Sequence, residues 1–425
     1  MKQIKHRSPL EFLEREELKK RAIRVLDPVF NNMQTIKTFV PVDTYVPPYS
    51  YLLPSGLDLH VHFREPGFTH KEDFTTGSIA ALAGGISFTV DMPNTKPPTT
   101  TPERLNEKRK LRDEKSYIPV LLAGGLTHTN YDDIEILAKE TPILKAFIAT
   151  SFGELSIEKE QFIHALKKLD KMDYNGIIYL HCEDPKFFHP EFDDDPRDYW
   201  KVRPEISEIE CFKKHLKIAK QFPHLSFQFT HTTSPYSAQL VLDAMKAGLN
   251  VNLDVTITHI DYDKDTPCLQ PWKLKMNPPL RERKSVSLLR KMMFQGIIPY
   301  TASDHAPHTI EEKTSKNIPP GNPGVQETYH YFIDKSLKGI VPWKTTIKVV
   351  HDEPIRRIKH NYYENNIQVI LDPNQNTYVD VEWIKSKVKW SLWEGRNFKG
   401  KIIGLLIAKN KEEKFYLPIE KLPKT

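Results

Sequence analysis

Eight short apolar runs recur from Leu57 onward, each separated from the next by a polar stretch. This alternation constrains the fold more than any other feature of the chain. The runs are Leu57–Phe63, Ile86–Met92, Ile118–Leu122, Leu144–Ile148, Ile177–His181, Ser226–Thr230, Val251–Thr256 and Ile297–Ala302. Charged segments with helical spacing, such as Glu103–Lys115, Asp132–Lys139, Glu158–Lys171 and Ile206–Gln221, lie between them. Runs this short are buried strands, and strands alternating with helices pair in parallel; eight of them predict a closed (β/α)8 barrel. Gly84-Gly85 supplies the left-handed stop expected after a helix over Lys71–Ala83.

Sequence outside the barrel predicts a small β domain built from the chain ends. Residues 9–27 have leucines and other apolar residues at spacings near three and four, which predicts an amphipathic helix. The Pro-rich segment from Asn31 to Tyr51 is strand-and-turn in character. After Asn361 the β pattern returns in YVDVEW, KVKWSLW and KIIGLLIAK. The expected domains are 1–54 (a helical extension and a strand of the small domain), 55–360 (the barrel) and 361–425 (the small C-terminal β domain).

Composition removes other classes. At 425 residues, an apolar fraction of 39% supports a large core, and 33 prolines with 17 glycines fall far short of a disordered composition. No window reaches the ~18 apolar residues of a membrane helix, and no apolar signal region precedes Leu57. Three cysteines without CxxC spacing fit a reducing, cytoplasmic location rather than a disulfide scaffold. The net charge of +6 is spread along the chain; it suits anionic small molecules and argues against nucleic acid or a membrane as partner.

In such a barrel, chemistry sits at the C-terminal ends of the strands. The first run carries His60 and His62, two apart and therefore on one face. His181 ends the fifth run, His231 follows the sixth and Asp304 follows the eighth. Four histidines and a carboxylate at one rim are costly as mere core but natural as ligands of a pair of zinc ions. Lys145 lies inside the fourth apolar run. A lysine buried beside cations loses its proton readily, and the neutral amine reacts with carbon dioxide to give a carbamate that can bridge two metals.

The stretch SGLDLHVHFREPGFTHKEDFTTGSIAALAGGISFTVDMPNTKPP, with TASDHAPHTIEEK later, resembles the dihydroorotase family of the amidohydrolase superfamily. The resemblance runs from about Leu53 through PPLRER and NPG to GRNFKGKI. It implies a barrel that interconverts N-carbamoyl-L-aspartate and L-dihydroorotate with two Zn2+. On it, His60, His62 and Asp304 hold one zinc, His181 and His231 hold the other, and carboxylated Lys145 bridges them. Asp304 doubles as general base and acid. Arg64, Asn94 and His308 take the substrate carboxylate, while Asn277 and the backbone around Gly324 take the ring amides. Ser151, in TSFGEL, matches a loop that closes over substrate. A homodimer or a complex with aspartate carbamoyltransferase is the partner expectation. Competing readings are another cyclic amidase (hydantoinase or allantoinase type) and a catalytically silent partner of aspartate carbamoyltransferase; every metal ligand is retained here, which favours activity.

Departures and decoys follow. Relatives usually begin with strands, whereas a helix is predicted here. Some relatives have a third-metal cysteine where Thr230 stands, so no third-metal role is assigned to Asp254. Cys182, next to His181, points to the opposite face and reads as core. Gly395–Lys401 mimics a phosphate loop but has Ile402 in the Ser/Thr position. His164 and His215 read as solvated surface residues.

Overall fold

The computed structural model describes residues 4–148, 154–358, 363 and 366–425. The strands, in chain order, are β1 (Leu18–Asp27), β2 (Asn32–Pro41), β3 (Ser50–Pro54), β4 (Gly56–Val61), β5 (Ile86–Asp91), β6 (Val120–Leu122), β7 (Gly124–Leu126) and β8 (Ile143–Phe147). They continue with β9 (Ile177–His181), β10 (Ser226–Phe229), β11 (Val251–Val255), β12 (Tyr300–Thr301), β13 (Ile367–Tyr378), β14 (Asn397–Ala408) and β15 (Lys414–Pro418). Strands β4 to β12 form the parallel (β/α)8 barrel.

The third barrel strand is broken at Ala123: β6 pairs with β5, and β7 pairs with β8. Its second half, GGL, has too few apolar side chains to register as part of the third run, so the sequence shows only the first half. At the other seam, the His62 amide donates to the His305 carbonyl at 2.8 Å, and Val61 bridges His305 in parallel. The first and eighth strands therefore close the barrel at the rim that carries the histidines. Among the described residues, no helix is long and apolar enough to cross a membrane.

Helices cover the barrel close to their expected positions, including Phe74–Ala83, Pro102–Lys115, Lys159–Lys171 and Glu205–Ala219. Phe74–Ala83 is capped by Asp73, whose carboxylate accepts from the Thr76 amide at 2.8 Å. It ends at Gly85, whose φ of +76° needs glycine.

The small domain is a closed six-stranded barrel in the order β1-β2-β15-β14-β13-β3, so both chain ends contribute. The helix predicted over 9–27 is not formed. Pro9–Leu13 is a single 3-10 turn, and Leu18–Asp27 is a strand paired antiparallel with β2 from Leu18↔Pro41 to Asp27↔Asn32. The β-branched Ile23 and the alternate Val25 turn inward, while Arg24 between them stays outside; this period of two wins over the leucine spacing once β2 and β3 are present. Asp27 Oδ1 accepts from the Val29 and Phe30 amides (2.8 and 3.2 Å) and Asn31 takes φ +50°, which makes the turn.

A second correction concerns KVKWSLW, which is not a strand. Its alternating large residues cap the rim of the large barrel instead of joining a ladder. Trp390 and Trp393 are buried, and the Trp390 indole donates to the His308 carbonyl at 2.7 Å. Of YVDVEW, only Tyr378 belongs to β13; the rest turns back, held by Asp380 Oδ1 accepting from the Trp383 amide at 2.8 Å.

Candidate active site

The strand ends bring four imidazoles, Lys145 and Asp304 to one point. His60 and His62 point from β4 to the same side, with ring centroids 5.3 Å apart. Asp304 Oδ1 lies 3.0 Å from His62 Nε2 and 3.4 Å from His60 Nε2, and the donor atoms of this trio all fall within 4.8 Å of one another. Across the barrel mouth, His181 Nδ1 and His231 Nε2 are 2.9 Å apart, and the His60 and His231 rings are 5.4 Å apart. Lys145, fully buried on β8, extends to Thr230, donating to its Oγ1 at 3.0 Å.

Neighbouring groups decide which nitrogens carry protons. Asn94 Oδ1 lies 2.5 Å from His62 Nδ1, and Glu183 Oε2 lies 2.8 Å from His181 Nε2. Glu183 takes the His181 Nε2–H and leaves Nδ1 as a lone pair turned toward the centre; His62 has an acceptor at each nitrogen, and with its proton on Nδ1 toward Asn94 it offers Nε2 to a cation beside Asp304. Burial, reinforced by the Lys145 charge, holds the His60, His181 and His231 protonation far below the usual range. Burial also lowers His62, against the opposing pull of Asp304. Neutral imidazoles with converging lone pairs are the donor set of a divalent metal such as zinc, so these residues fit that ion. Lys145 is lowered to about 8, chiefly by burial, which eases formation of the free amine.

Three of the site residues have left-handed backbones: Arg64 (φ +64°), His231 (φ +37°) and Asp304 (φ +48°). Non-glycine residues in such conformations cost of order 1–3 kcal/mol each and persist only where their surroundings impose them. Here the constraints are visible. The His231 amide donates to Asp254 Oδ1 at 2.7 Å, and the Ser303 amide donates to the Asp58 carboxylate at 3.1 Å. Burial raises both carboxylates, Asp58 to about 6 and Asp254 to about 7. Asp254 thus acts on the backbone beneath His231.

Of the residues expected at the carboxylate end, Arg64 and His308 meet directly. Arg64 is buried, donating from Nε to the Pro307 carbonyl (3.1 Å) and from Nη2 to His308 Nε2 (3.1 Å). Among the described residues no carboxylate lies within 4.0 Å of its guanidinium. Asn94 is placed against His62, which engages its carbonyl oxygen, so its amide nitrogen is what remains for a ligand. Asn277 Oδ1 accepts from the Tyr199 hydroxyl at 2.8 Å. At Gly324, in the backbone segment expected to take the ring amides, the amide donates to His305 Nδ1 (3.1 Å) and the carbonyl accepts from Thr328 Oγ1 (2.9 Å). The helix that starts at Val325 uses these groups at its own N-terminus. Ser151 lies outside the described residues.

Sequence reasoning missed the outer layer. Glu183 is fully buried between His181 and Arg203 (Nη1 3.0 Å). Its spacing two past His181 was a usable signal for a shared face. Glu72 Oε2 reaches His305 at 3.3 Å, and Lys71 reaches His308. His164 is exposed as expected, paired with Asp132 at 3.0 Å. His215 is not a surface residue: it is buried against Cys211, with Nδ1 2.8 Å from the Cys211 carbonyl, and Cys182 is core beside them. A charged helix hid that one apolar face.

No family model matches the chain. The dihydroorotase of Methanosarcina acetivorans is 32% identical over 368 residues, covering 81% of this chain and 78% of that protein. That of Methanosarcina mazei is 32% identical over 372 residues, covering 81% and 80%. Among solved structures, L-hydantoinase (dihydropyrimidinase) from Arthrobacter aurescens aligns with a TM-score of 0.79 at 19% identity, covering 93% of this chain and 96% of that one; this likeness is one of fold. With 32% identity sustained across four-fifths of its length, the chain belongs to the dihydroorotase family of cyclic amide hydrolases.

Proposed function

We propose that this chain catalyses the reversible conversion of N-carbamoyl-L-aspartate to L-dihydroorotate and water, with two zinc ions bridged by carboxylated Lys145. The observation that carries the reading is Arg64: a buried guanidinium at the metal rim with no carboxylate partner among the described residues. Asp304, Asp91, Glu312 and Glu72 act on this charge only from beyond direct contact, so a ligand carboxylate can add the charge-assisted hydrogen bonds it lacks. Dihydroorotate carries that carboxylate on its ring, whereas an unsubstituted dihydropyrimidine does not.

In this reading His60, His62 and Asp304 would hold one zinc, His181 and His231 the other, and Lys145, as its carbamate, would be the ligand they share. Bound zinc supplies Lewis-acid polarisation of the ring carbonyl and activates water at neutral pH. Arg64, His308 and the Asn94 amide fix the carboxylate, which orients the scissile C–N bond over the histidines. Asp304 stands where it can take a proton from the attacking water and return it to the ring nitrogen. Asn277 is offered to the ring amides. Ser151 is retained as a loop contact, and the backbone around Gly324 as a second contact for the ring amides.

Arg64→Met tests the assignment. Losing one charge-assisted contact is expected to cost about 2–3 kcal/mol, or roughly 30- to 150-fold in kcat/KM for dihydroorotate, with zinc content unchanged. The wild type should hydrolyse dihydrouracil, which lacks the carboxylate, far more slowly than dihydroorotate. Equal kcat/KM for the two would move the chain to the hydantoinase side.

A further inference from the structure

Lys71 lies in the turn after Arg64, where the Phe68 amide donates to the Arg64 carbonyl and the Lys71 amide donates to the Phe68 carbonyl. Its ammonium is 3.0 Å from Glu312 Oε1 and 3.1 Å from His308 Nδ1. On the other side of the same imidazole, Arg64 Nη2 is 3.1 Å from His308 Nε2. The His308 ring is therefore flanked by a donor at each nitrogen. Arginine only donates, charged lysine only donates, and a neutral imidazole has one acceptor nitrogen. Both contacts cannot be hydrogen bonds at once.

Glu312 Oε2, 3.4 Å from His308 Nδ1, resolves the conflict in one direction. With the proton on Nδ1, the ring donates to Glu312 and accepts from Arg64 at Nε2. That arrangement suits the free site and is wrong for a carboxylate ligand. A carboxylate inserted between Arg64 and His308 needs an N–H at Nε2, which leaves a lone pair on Nδ1. Lys71 is placed to donate to that lone pair.

We propose that Lys71 is a positioning residue for the substrate carboxylate: it stabilises the His308 tautomer whose Nε2–H faces the ligand, and Glu312 stabilises the opposite tautomer. This rests on the functional reading above, in which Arg64 and His308 grip that carboxylate. Lys71 acts through His308 without touching substrate, so its effect falls on binding rather than on the chemical step. Glu312 is itself fixed by a capping box, accepting from the Thr309 amide at 3.2 Å while its own amide donates to Thr309 Oγ1 at 3.3 Å.

The experiment compares both ends of the pair by steady-state kinetics with dihydroorotate. Lys71→Met is expected to raise KM by about tenfold, the loss of one hydrogen bond supporting a charged contact. kcat should change much less, and Lys71→Arg, which still donates, should recover most of the loss. Glu312→Gln removes the carboxylate charge and, with its amide oxygen on Lys71, can turn an amide N–H toward His308 Nδ1, so the wrong tautomer is no longer favoured and KM should not rise. A pair that merely braced the loop would give equal losses from either end, and that result overturns the proposal. So does a Lys71→Met enzyme with unchanged KM, or a Lys71→Arg variant no better than Lys71→Met. Should Lys71→Met not fold, the arginine and glutamine variants decide alone: a raised KM in Glu312→Gln overturns the proposal and an unraised one with near-normal Lys71→Arg supports it. If the wild type does not turn over dihydroorotate, or Arg64→Met leaves KM unchanged, the functional reading has failed first and the cause is distinguishable.

Discussion

A Lys145→Ala chain is expected to fold, to bind little zinc and to lose nearly all turnover of dihydroorotate. The side chain projects into the barrel mouth from β8, whose backbone pairs with β7 and β9 through Gly125↔Lys145 and Lys145↔Tyr179. Truncation leaves those ladders intact, so the loss is chemical rather than structural. On the proposed carbamate, the substitution takes away a ligand that two metal ions would share and the negative charge between them. Metal ions contribute several kcal/mol to such transition states, which corresponds to roughly a thousandfold or more in rate. Truncation also frees the space of three methylenes and the terminal nitrogen, which a short carboxylic acid can enter. Acetate or propionate should therefore restore part of the activity and part of the zinc. An electron-density map of the wild type showing an unmodified ammonium turned away from bound metals would refute the carbamate.

The second large effect concerns the histidines. His181→Ala should lose most of its zinc and nearly all activity while the barrel stays folded. Glu183, left without the imidazole, still has the Arg203 guanidinium 3.0 Å away, so no carboxylate is stranded in the core. His60→Ala should behave alike from the other side of the pair. Zinc per chain by elemental analysis, read beside activity and the thermal transition, checks both. Full activity at unchanged metal content in either variant would remove the binuclear assignment. Fewer than one zinc per chain in carefully purified wild type would favour a silent partner of aspartate carbamoyltransferase.

Most of the barrel is legible in the sequence because a parallel strand buried on both faces is a continuous apolar run, and each run lies where a strand forms. The residues that meet at the barrel mouth are legible for a related reason: a polar residue ending an apolar strand stands out. The failures have physical causes too. Leu18–Asp27 carries both a helical and a strand-like spacing, and its decisive partners, β2 and β3, are visible only in three dimensions. The capping role of KVKWSLW depends on the carbonyl of His308, about eighty residues away, which no local pattern reveals. His215 looked solvated because its helix is mostly charged, yet the face it shares with Cys211 is buried. Glu183, Lys71 and Glu72 act through other side chains, and such roles have no periodicity to read.

The small barrel also sets an order of events during synthesis. Its first hairpin is complete at Pro41, but β13 begins only at Ile367 and β15, whose Phe415 stacks on Phe39 with centroids 5.0 Å apart, follows at Lys414. At typical translation rates of about 5–20 residues per second, the edge of β2 waits roughly a quarter of a minute to more than a minute for its neighbour. Throughout that interval the cluster that holds Ile36 and Val40 lacks Ile370, Leu406 and Tyr416. The (β/α)8 barrel, by contrast, has all its strands once Thr301 has emerged. A ribosome that stalls within the last sixty residues therefore releases a chain with a formed catalytic barrel and an open, sticky strand edge. Such a product would associate with its like before it ever lost its metal site.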